Sequence, residues 1–343
     1  MTTMLAVRFH EVGGPEVLRC ETMPLPQPGS GQVLVRVLAA GVNYADVMRR
    51  AGEPYPVPTP LPFRAGSEVA GEVCGCGEGV DASWMGRRVL GADIMGGGYA
   101  QYIALPVQNL LPWPEGLSAH QAGTLLIQGT TAAMALLESG EMRAGERVLV
   151  LGATGGVGSM MLQLARAHGA AQVIAGIGSS AKTAAALALG AHSAVDYSQA
   201  GWAEQVLAAT QGRGVDLVLD ATCGPLLQQA CDALADWGRI VIYGASDPAP
   251  APLDLKRMVA RNQRVTGCFL GAYLQRRPQR AAELLADLGE RVRRGEVKPA
   301  VHAVLPLSQA PRAHELVTSR GVIGKILLDP WMDPTQPEEA SCN

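Results

Sequence analysis

The sequence has no surplus of positive charge: 28 Lys and Arg stand against 31 Asp and Glu, leaving a net charge of −3 at pH 7. Nucleic acid and anionic membrane surfaces select basic patches, so neither is expected as a partner. The sequence also lacks any run of about 18 apolar residues, and its opening stretch, MTTMLAVRFHEVGG, has no basic segment leading into an apolar one. A membrane-spanning helix and an export signal are therefore not expected, and the protein is read as soluble and cytoplasmic. Seven cysteines, an odd number scattered along the chain, make no disulfide framework and are expected to be reduced thiols. The six histidines, at 10, 120, 168, 192, 302 and 314, form no HxxH or HExxH pair. They are read as structural or surface residues, and no metal is expected. No internal repeat occurs.

What is present suits a well-buried α/β enzyme. A length of 343 residues exceeds what one core usually serves, which predicts two domains. Apolar residues make up 48% against 17% charged, with 41 glycines, a globular composition. Residues 1–124 are rich in valine, glycine and proline, with short apolar runs such as 33–37 and 87–90, and read as a barrel-like, mostly-β domain. Residues 125–265 alternate short apolar strands with helical segments, the pattern of a doubly wound parallel sheet. The strands are expected at 147–151, 172–175, 193–195, 215–219 and 239–243. Val157, Met161, Leu164 and Ala165 recur at helical spacing, as do Leu226, Ala230 and Leu234. Residues 266–330, with an amphipathic helix from Pro278 to about Arg294 and strands at 300–305 and 324–328, are expected to complete the first domain. Residues 331–343 read as a disordered tail.

The densest local signal lies at 147–164, where a strand enters a glycine-rich turn and then an amphipathic helix. Its core, Ala153-x-Gly155-x-x-Gly158, is a Rossmann dinucleotide fingerprint with alanine at the first glycine. Together with Thr154, Gly156 and Val157, it brings backbone amides and a helix N-terminus to a pyrophosphate. An NAD-preferring domain usually ends its second strand on Asp or Glu. Here that segment runs Val173-Ile174-Ala175-Gly176-Ile177-Gly178-Ser179-Ser180-Ala181-Lys182, with no carboxylate. Ser179 can donate a hydrogen bond and Lys182 a positive charge to a 2′-phosphate, which favours NADPH.

With these residues in view, the chain resembles the quinone oxidoreductase branch of the medium-chain dehydrogenase/reductase superfamily over about residues 4–329. It looks especially similar to the p53-inducible quinone oxidoreductase type. The matching segments are MLAVRFHEVGGPEVL, AAGVNYADVMRRAG, GSEVAGEV, GGGYAQY, IQGTTAA, GATGGVG, GVDLVLDATCG, GRIVIYG and GKILL, in order. The resemblance implies a GroES-like catalytic domain formed by both chain ends, a Rossmann domain inserted between them, an active site in the cleft, and a homodimer. It also implies that Ser179, Lys182 and Tyr197 bind the 2′-phosphate and that Asn43 and Thr131 lie near the nicotinamide ribose. Gly244 and Phe269 would lie near the cofactor, and Lys325 near the nicotinamide-side phosphate or ribose.

Zinc alcohol dehydrogenases of this superfamily carry Gly-His-Glu where this chain reads Gly66-Ser67-Glu68, and no Cys or His stands at 43–46. Oxidising an alcohol by hydride transfer passes through an incipient alkoxide that a Lewis acid normally stabilises, so without metal that route is poor. A quinone or enone is already electrophilic, so a hydride donor needs mainly alignment and a hydrogen-bond donor there. Asn43 and Tyr55 are the candidate donors, an amide to hold a carbonyl and a phenol to supply a proton. Tyr55 sits in Gly52-Glu53-Pro54-Tyr55-Pro56, one residue longer than the related Gly-x-Tyr-Pro pattern. Tyr44 is a further candidate, or else an aromatic packed beside the cofactor. Two alternatives stand beside quinone reduction: a 2-enoyl thioester reductase, and an NADPH-binding protein with little catalysis.

Overall fold

The computed structural model describes residues 2–247, 249, 253–319, 321–332 and 339–340. The chain divides into two compact units, residues 1–127 with 301–343, and residues 128–300.

The first unit begins with β1 (Thr3–Phe9), which buries Met4, Ala6, Val7 and Phe9 and pairs with β2 (Arg19–Pro24). The long strand β3 (Gln32–Val42) runs directly into α1 (Tyr44–Ala51), with Asn43 as the hinge residue between them. There follow β4 (Phe63–Arg64), β5 (Glu68–Cys76), β6 (Arg88–Ala92), β7 (Tyr102–Pro106), β8 (Leu110–Pro112) and the short helix α2 (Ala119–Ala122). Pairing of β3 with β5 shifts register twice, between Leu34 and Val35 and between Val37 and Ala39. Such bulges bend a strand and increase its twist, which lets this sheet curl as a barrel-like domain requires. The expected run at 33–37 is thus the middle of an eleven-residue strand.

The second unit opens with α3 (Thr130–Ala133), which lies between two π-wound stretches, Leu125–Gly129 and Met134–Ser139. The elements then alternate: β9 (Arg147–Leu151), α4 (Gly156–Ala167), β10 (Gln172–Ile177), α5 (Thr183–Ala188), β11 (Ser193–Asp196), α6 (Trp202–Ala209), β12 (Val215–Asp220), α7 (Leu226–Asp232) and β13 (Leu234–Ile242). The unit closes with α8 (Leu255–Arg261), β14 (Arg264–Gly267), α9 (Leu270–Arg276) and α10 (Pro278–Arg293). Its six strands are all parallel, in the order β11-β10-β9-β12-β13-β14. Numbered within the unit this is 3-2-1-4-5-6, the doubly wound Rossmann order. Leu149, Leu151, Ile174, Val218 and Ile240 are fully buried in its core, each contributing roughly 1.5 to 3 kcal/mol of burial free energy.

The chain returns to the first unit as β15 (Val301–Pro306), α11 (Ala310–Thr318), β16 (Lys325–Asp329) and β17 (Glu339–Ala340). These strands extend the sheet to β17-β15-β16-β3-β5-β6-β8, with β7 also on β3. An α/β chain with a parallel sheet inserted into a mostly-β unit is therefore what the sequence folds into.

Three expectations are corrected. Residues 266–300 lie in the second unit and not the first: β14 pairs with β13, and α10 turns Ala281, Leu284, Leu285 and Leu288 inward and packs on α3. An amphipathic pattern says that a stripe is buried and leaves open against which core. Leu234, expected on a helix, begins β13, because α7 stops at Asp232. In the segment expected to be a disordered tail, the Trp331 indole N–H donates to the carbonyl of Val37 at 2.7 Å, and Arg36 stacks on the ring at 4.6 Å. Glu339–Ala340 pairs with β15. The rest of that expectation, at 333–338 and 341–343, lies outside the described residues.

Candidate functional site

In the first unit, β16, β3 and β5 lie side by side, with Ile326 opposite Val42 and Ala40 opposite Val69. That register brings Lys325, Asn43 and Glu68 together. The Lys325 ammonium donates to Glu68 Oε2 at 2.8 Å and to Asn43 Oδ1 at 2.7 Å, and both charged side chains are fully buried. Asn43 Nδ2 donates at 3.3 Å to Glu68 Oε2 and at 3.3 Å to the carbonyl of Gly41. Glu68 Oε1 accepts the backbone N–H of Ile127 at 2.5 Å. A Cβ on Gly41 would come within 2.2 Å of Glu68 Oε2, so only glycine leaves room for the pair.

Behind it lies a second buried network. Asp46 accepts from the backbone of Asn43 at 3.0 Å, from Ser67 Oγ at 2.8 Å and from the Tyr99 phenol at 3.1 Å. With its hydrogen given to Asp46, the Tyr99 oxygen accepts from His314 Nε2 at 3.2 Å. Burial raises the Asp46 carboxyl above its ordinary value even against these three donors. Burial, then the neighbouring Asp46, keeps the Tyr99 phenol protonated. His314 Nδ1 has no partner among the described residues, and burial, with Arg50 nearby, lowers the imidazole to about 3.

Tyr44 opens α1, and Tyr55 lies in the loop that follows, half-buried. The Arg49 guanidinium stacks on the Tyr55 ring at 5.3 Å. Burial, and secondarily the charge of Asp46, pushes the Tyr55 phenol up. It therefore holds its proton through neutral pH.

These groups do not make a zinc site. Ser67 donates to Asp46, Glu68 is neutralised by a fixed ammonium, and Asn43 binds both halves of that pair. Among the described residues no three His, Cys, Asp or Glu side chains stand together to hold a metal.

In the second unit the expected cofactor residues gather at the carboxyl edge of the parallel sheet, where ligands of this fold bind. Ala153 to Gly158 join β9 to α4, and Gly156, Val157 and Gly158 form the first helical turn, whose amides lack intrahelical acceptors. A Cβ on Gly158 would lie 2.4 Å from the carbonyl oxygen of Gly152, so the helix can pack on the turn only with glycine there. Ser179 follows β10, and its Oγ accepts from Ala181 N at 3.4 Å, leaving its hydrogen to donate. Burial lowers the half-buried Lys182 ammonium from its ordinary value, a cost that an anion at this position would offset. Tyr197 follows β11 and brings its hydroxyl over Gly178, where a Cβ would meet it at 3.1 Å. Gly244 lies just beyond β13, close against the carbonyl of Ala221, and the Phe269 ring beyond β14 is 41% exposed. Thr131 is buried within α3.

The ammonium of Lys325, expected near the cofactor phosphate or ribose, is enclosed between Glu68 and Asn43. Asn43, expected as a donor, is held by bonds to Gly41, Glu68 and Lys325. Sequence reasoning missed Asp46, Tyr99 and His314 as a network, and used Glu68 only to note the histidine missing before it. The Asn43-x-x-Asp46 spacing was the available signal, since an acid at the third helical position reaches back to the backbone at the helix start. It also missed Gln128, whose amide lies against Gly156 and whose Oε1 is buried without a partner among the described residues.

Two family descriptions match the chain: an alcohol dehydrogenase GroES-like domain over residues 29–115 and a zinc-binding dehydrogenase over residues 156–287. The quinone oxidoreductase of Rattus norvegicus is 34% identical over 327 residues, 95% of this chain and 97% of the relative. A 2-haloacrylate reductase from a Burkholderia species is 33% identical over 95% of this chain and 99% of its own length. The solved structure of Escherichia coli quinone oxidoreductase complexed with NADPH superposes with a TM-score of 0.88 at 30% identity, covering 95% of this chain and all of that one. Fold order, glycine-rich turn and full-length similarity agree, and the chain belongs to the quinone oxidoreductase family of the medium-chain dehydrogenase/reductase superfamily.

Proposed function

We propose that this chain is an NADPH-dependent quinone oxidoreductase, reducing a quinone or a related conjugated carbonyl without a metal ion. The observation that carries the reading is the closed Lys325–Glu68 pair beside Asn43. With Glu68 paired to an ammonium and Asn43 bonded to both, this set offers little to a Lewis acid, which favours an acceptor that is electrophilic on its own, as a conjugated carbonyl is. When bound, NADPH supplies a hydride. The turn from Ala153 to Gly158, with Thr154, binds the pyrophosphate through backbone amides. Ser179, Lys182 and Tyr197 take the 2′-phosphate, while Thr131, Gly244 and Phe269 line the rest of the cofactor. Asn43 holds the acceptor oxygen with its amide. Tyr55, protonated throughout the neutral range, supplies the proton that the reduced oxygen requires, and Tyr44 packs beside them. The family resemblance supports a homodimer as the working form.

One observation favours a second reading. The 2-haloacrylate reductase relative acts, by its name, on a conjugated acid, which keeps reduction of a 2-enoyl thioester in play. Initial rates of NADPH and NADH consumption with an ortho-quinone and with crotonyl-CoA decide between them. NADPH-specific turnover of the quinone is the expected outcome. Preference for crotonyl-CoA would move the protein to the enoyl reductases, and consumption with neither acceptor would make it a cofactor-binding protein.

A further inference from the structure

We infer that Glu68 and Lys325 are positioning residues whose task is to fix the orientation of the Asn43 amide; this rests on the role proposed above for Asn43. An asparagine amide has one accepting and one donating end, and nothing in its own shape decides which way it points. Here the surroundings decide. The ammonium of Lys325 can only donate and meets Oδ1 at 2.7 Å, while the carboxylate of Glu68 can only accept and faces Nδ2 at 3.3 Å. Turning the amide over would set its N–H groups against the ammonium and its oxygen against the carboxylate. Both orienting groups are themselves held: they bond each other at 2.8 Å, and Glu68 Oε1 is fixed by the Ile127 amide. The backbone of Asn43 is fixed separately, through Asp46.

The pair also polarises what it orients. A full positive charge at Oδ1 draws electron density from the amide and strengthens its N–H groups as donors. Nδ2 spends both hydrogens inward, but each bond is 3.3 Å, longer than the usual N–H···O distance, so each is weak and open to replacement by a nearer acceptor. An acceptor oxygen arriving at ordinary hydrogen-bond distance takes one of the two hydrogens. Asn43 is 8% exposed, whereas the two ionic groups behind it are sealed off. Glu68 and Lys325 thus act through Asn43.

Steady-state kinetics of the full-length protein with NADPH and an ortho-quinone test this. Glu68→Gln keeps the size of the side chain but can donate as well as accept, so it no longer dictates the amide's direction. It should lower kcat by about tenfold or more and leave KM for NADPH within about twofold. The double variant Glu68→Gln/Lys325→Met, which leaves no buried uncompensated charge, should do the same. In an Asn43→Ala background neither change should lower kcat further, because the group they orient is gone. Thermal melting establishes that each compared variant is folded at the assay temperature. Equal losses with and without the Asn43→Ala substitution would mean that the pair serves only the fold, and would overturn the inference. So would full activity of folded Glu68→Gln alongside an impaired Asn43→Ala. If the unmodified protein fails to reduce the quinone, the functional reading fails first, and that result is separate from both.

Discussion

At the scale of single residues, the proposed recognition of the NADPH 2′-phosphate rests on Lys182. Its ammonium is half-buried and burial alone lowers its affinity for a proton, so a phosphate dianion beside it would relieve a cost already present in the fold. Ser179 and the Tyr197 hydroxyl converge on the same short stretch after β10. Lys182→Ala should weaken NADPH by roughly tenfold to a hundredfold, the worth of one charged hydrogen bond at about 1.5 to 3 kcal/mol. NADH, which has no 2′-phosphate, should be almost unaffected. Dissociation constants for both cofactors, followed by protein fluorescence, make the comparison; equal weakening of the two would remove Lys182 from the phosphate pocket.

At the scale of elements, the parallel sheet is tied at the end opposite the cofactor edge. Arg239, at 6% exposure, donates to both oxygens of Glu146 at 3.0 and 2.7 Å and to the carbonyls of Gly140, Glu141 and Asp216. It joins β13, β12 and the turn before β9 through one planar group. Arg147 grips Asp216 in the same way, with bonds of 2.9 and 2.7 Å. Removing one member of such a buried ionic cluster leaves several acceptors without donors. Arg239→Met should therefore destabilise the protein by about 3 to 5 kcal/mol, read from denaturant unfolding. A change under about 1 kcal/mol would show that water takes over the bonds. Most of this sheet was legible in the sequence. Each strand and its helix are local patterns, and the turn from Ala153 to Gly158 is a single contiguous motif. The sixth strand, β14, was not legible: four residues, Arg264–Gly267, none of them fully buried, carry no periodic signal.

At the scale of the whole molecule, burial lowers His168 and His192 and lowers His314 furthest, so His314 is the main source of acid sensitivity. His314 has no exposed surface, gives its Nε2 hydrogen to Tyr99 and leaves Nδ1 facing protein with no acceptor among the described residues, so protonating it would bury a charge near Arg50. Its native value of about 3 lies below the ordinary 6.5. Between those limits the unfolded chain binds a proton that the folded chain refuses, so stability falls as pH is lowered through that window. The slope from this one group is at most about 1.4 kcal/mol per pH unit. The Tm of the unmodified protein should drop between pH 7 and pH 5, a range above the ordinary carboxylate values. His314→Gln should flatten that drop whatever its own Tm. An unchanged slope would assign the acid sensitivity elsewhere.

The sequence by itself determined the dinucleotide half of this protein. Strand, glycine-rich turn, helix and the uncharged end of the second strand all lie within residues 147–182, and their physics is that of neighbours in the chain. Only the tertiary structure decided what surrounds Asn43. Lys325 lies 282 residues from Asn43 and 257 from Glu68, and the three meet because β16 and β5 pair with the two sides of β3 in one register. A shift of one residue in either pairing would send a charged side chain to the opposite face of the sheet. Register follows from the packing of the whole unit, and no local pattern encodes it.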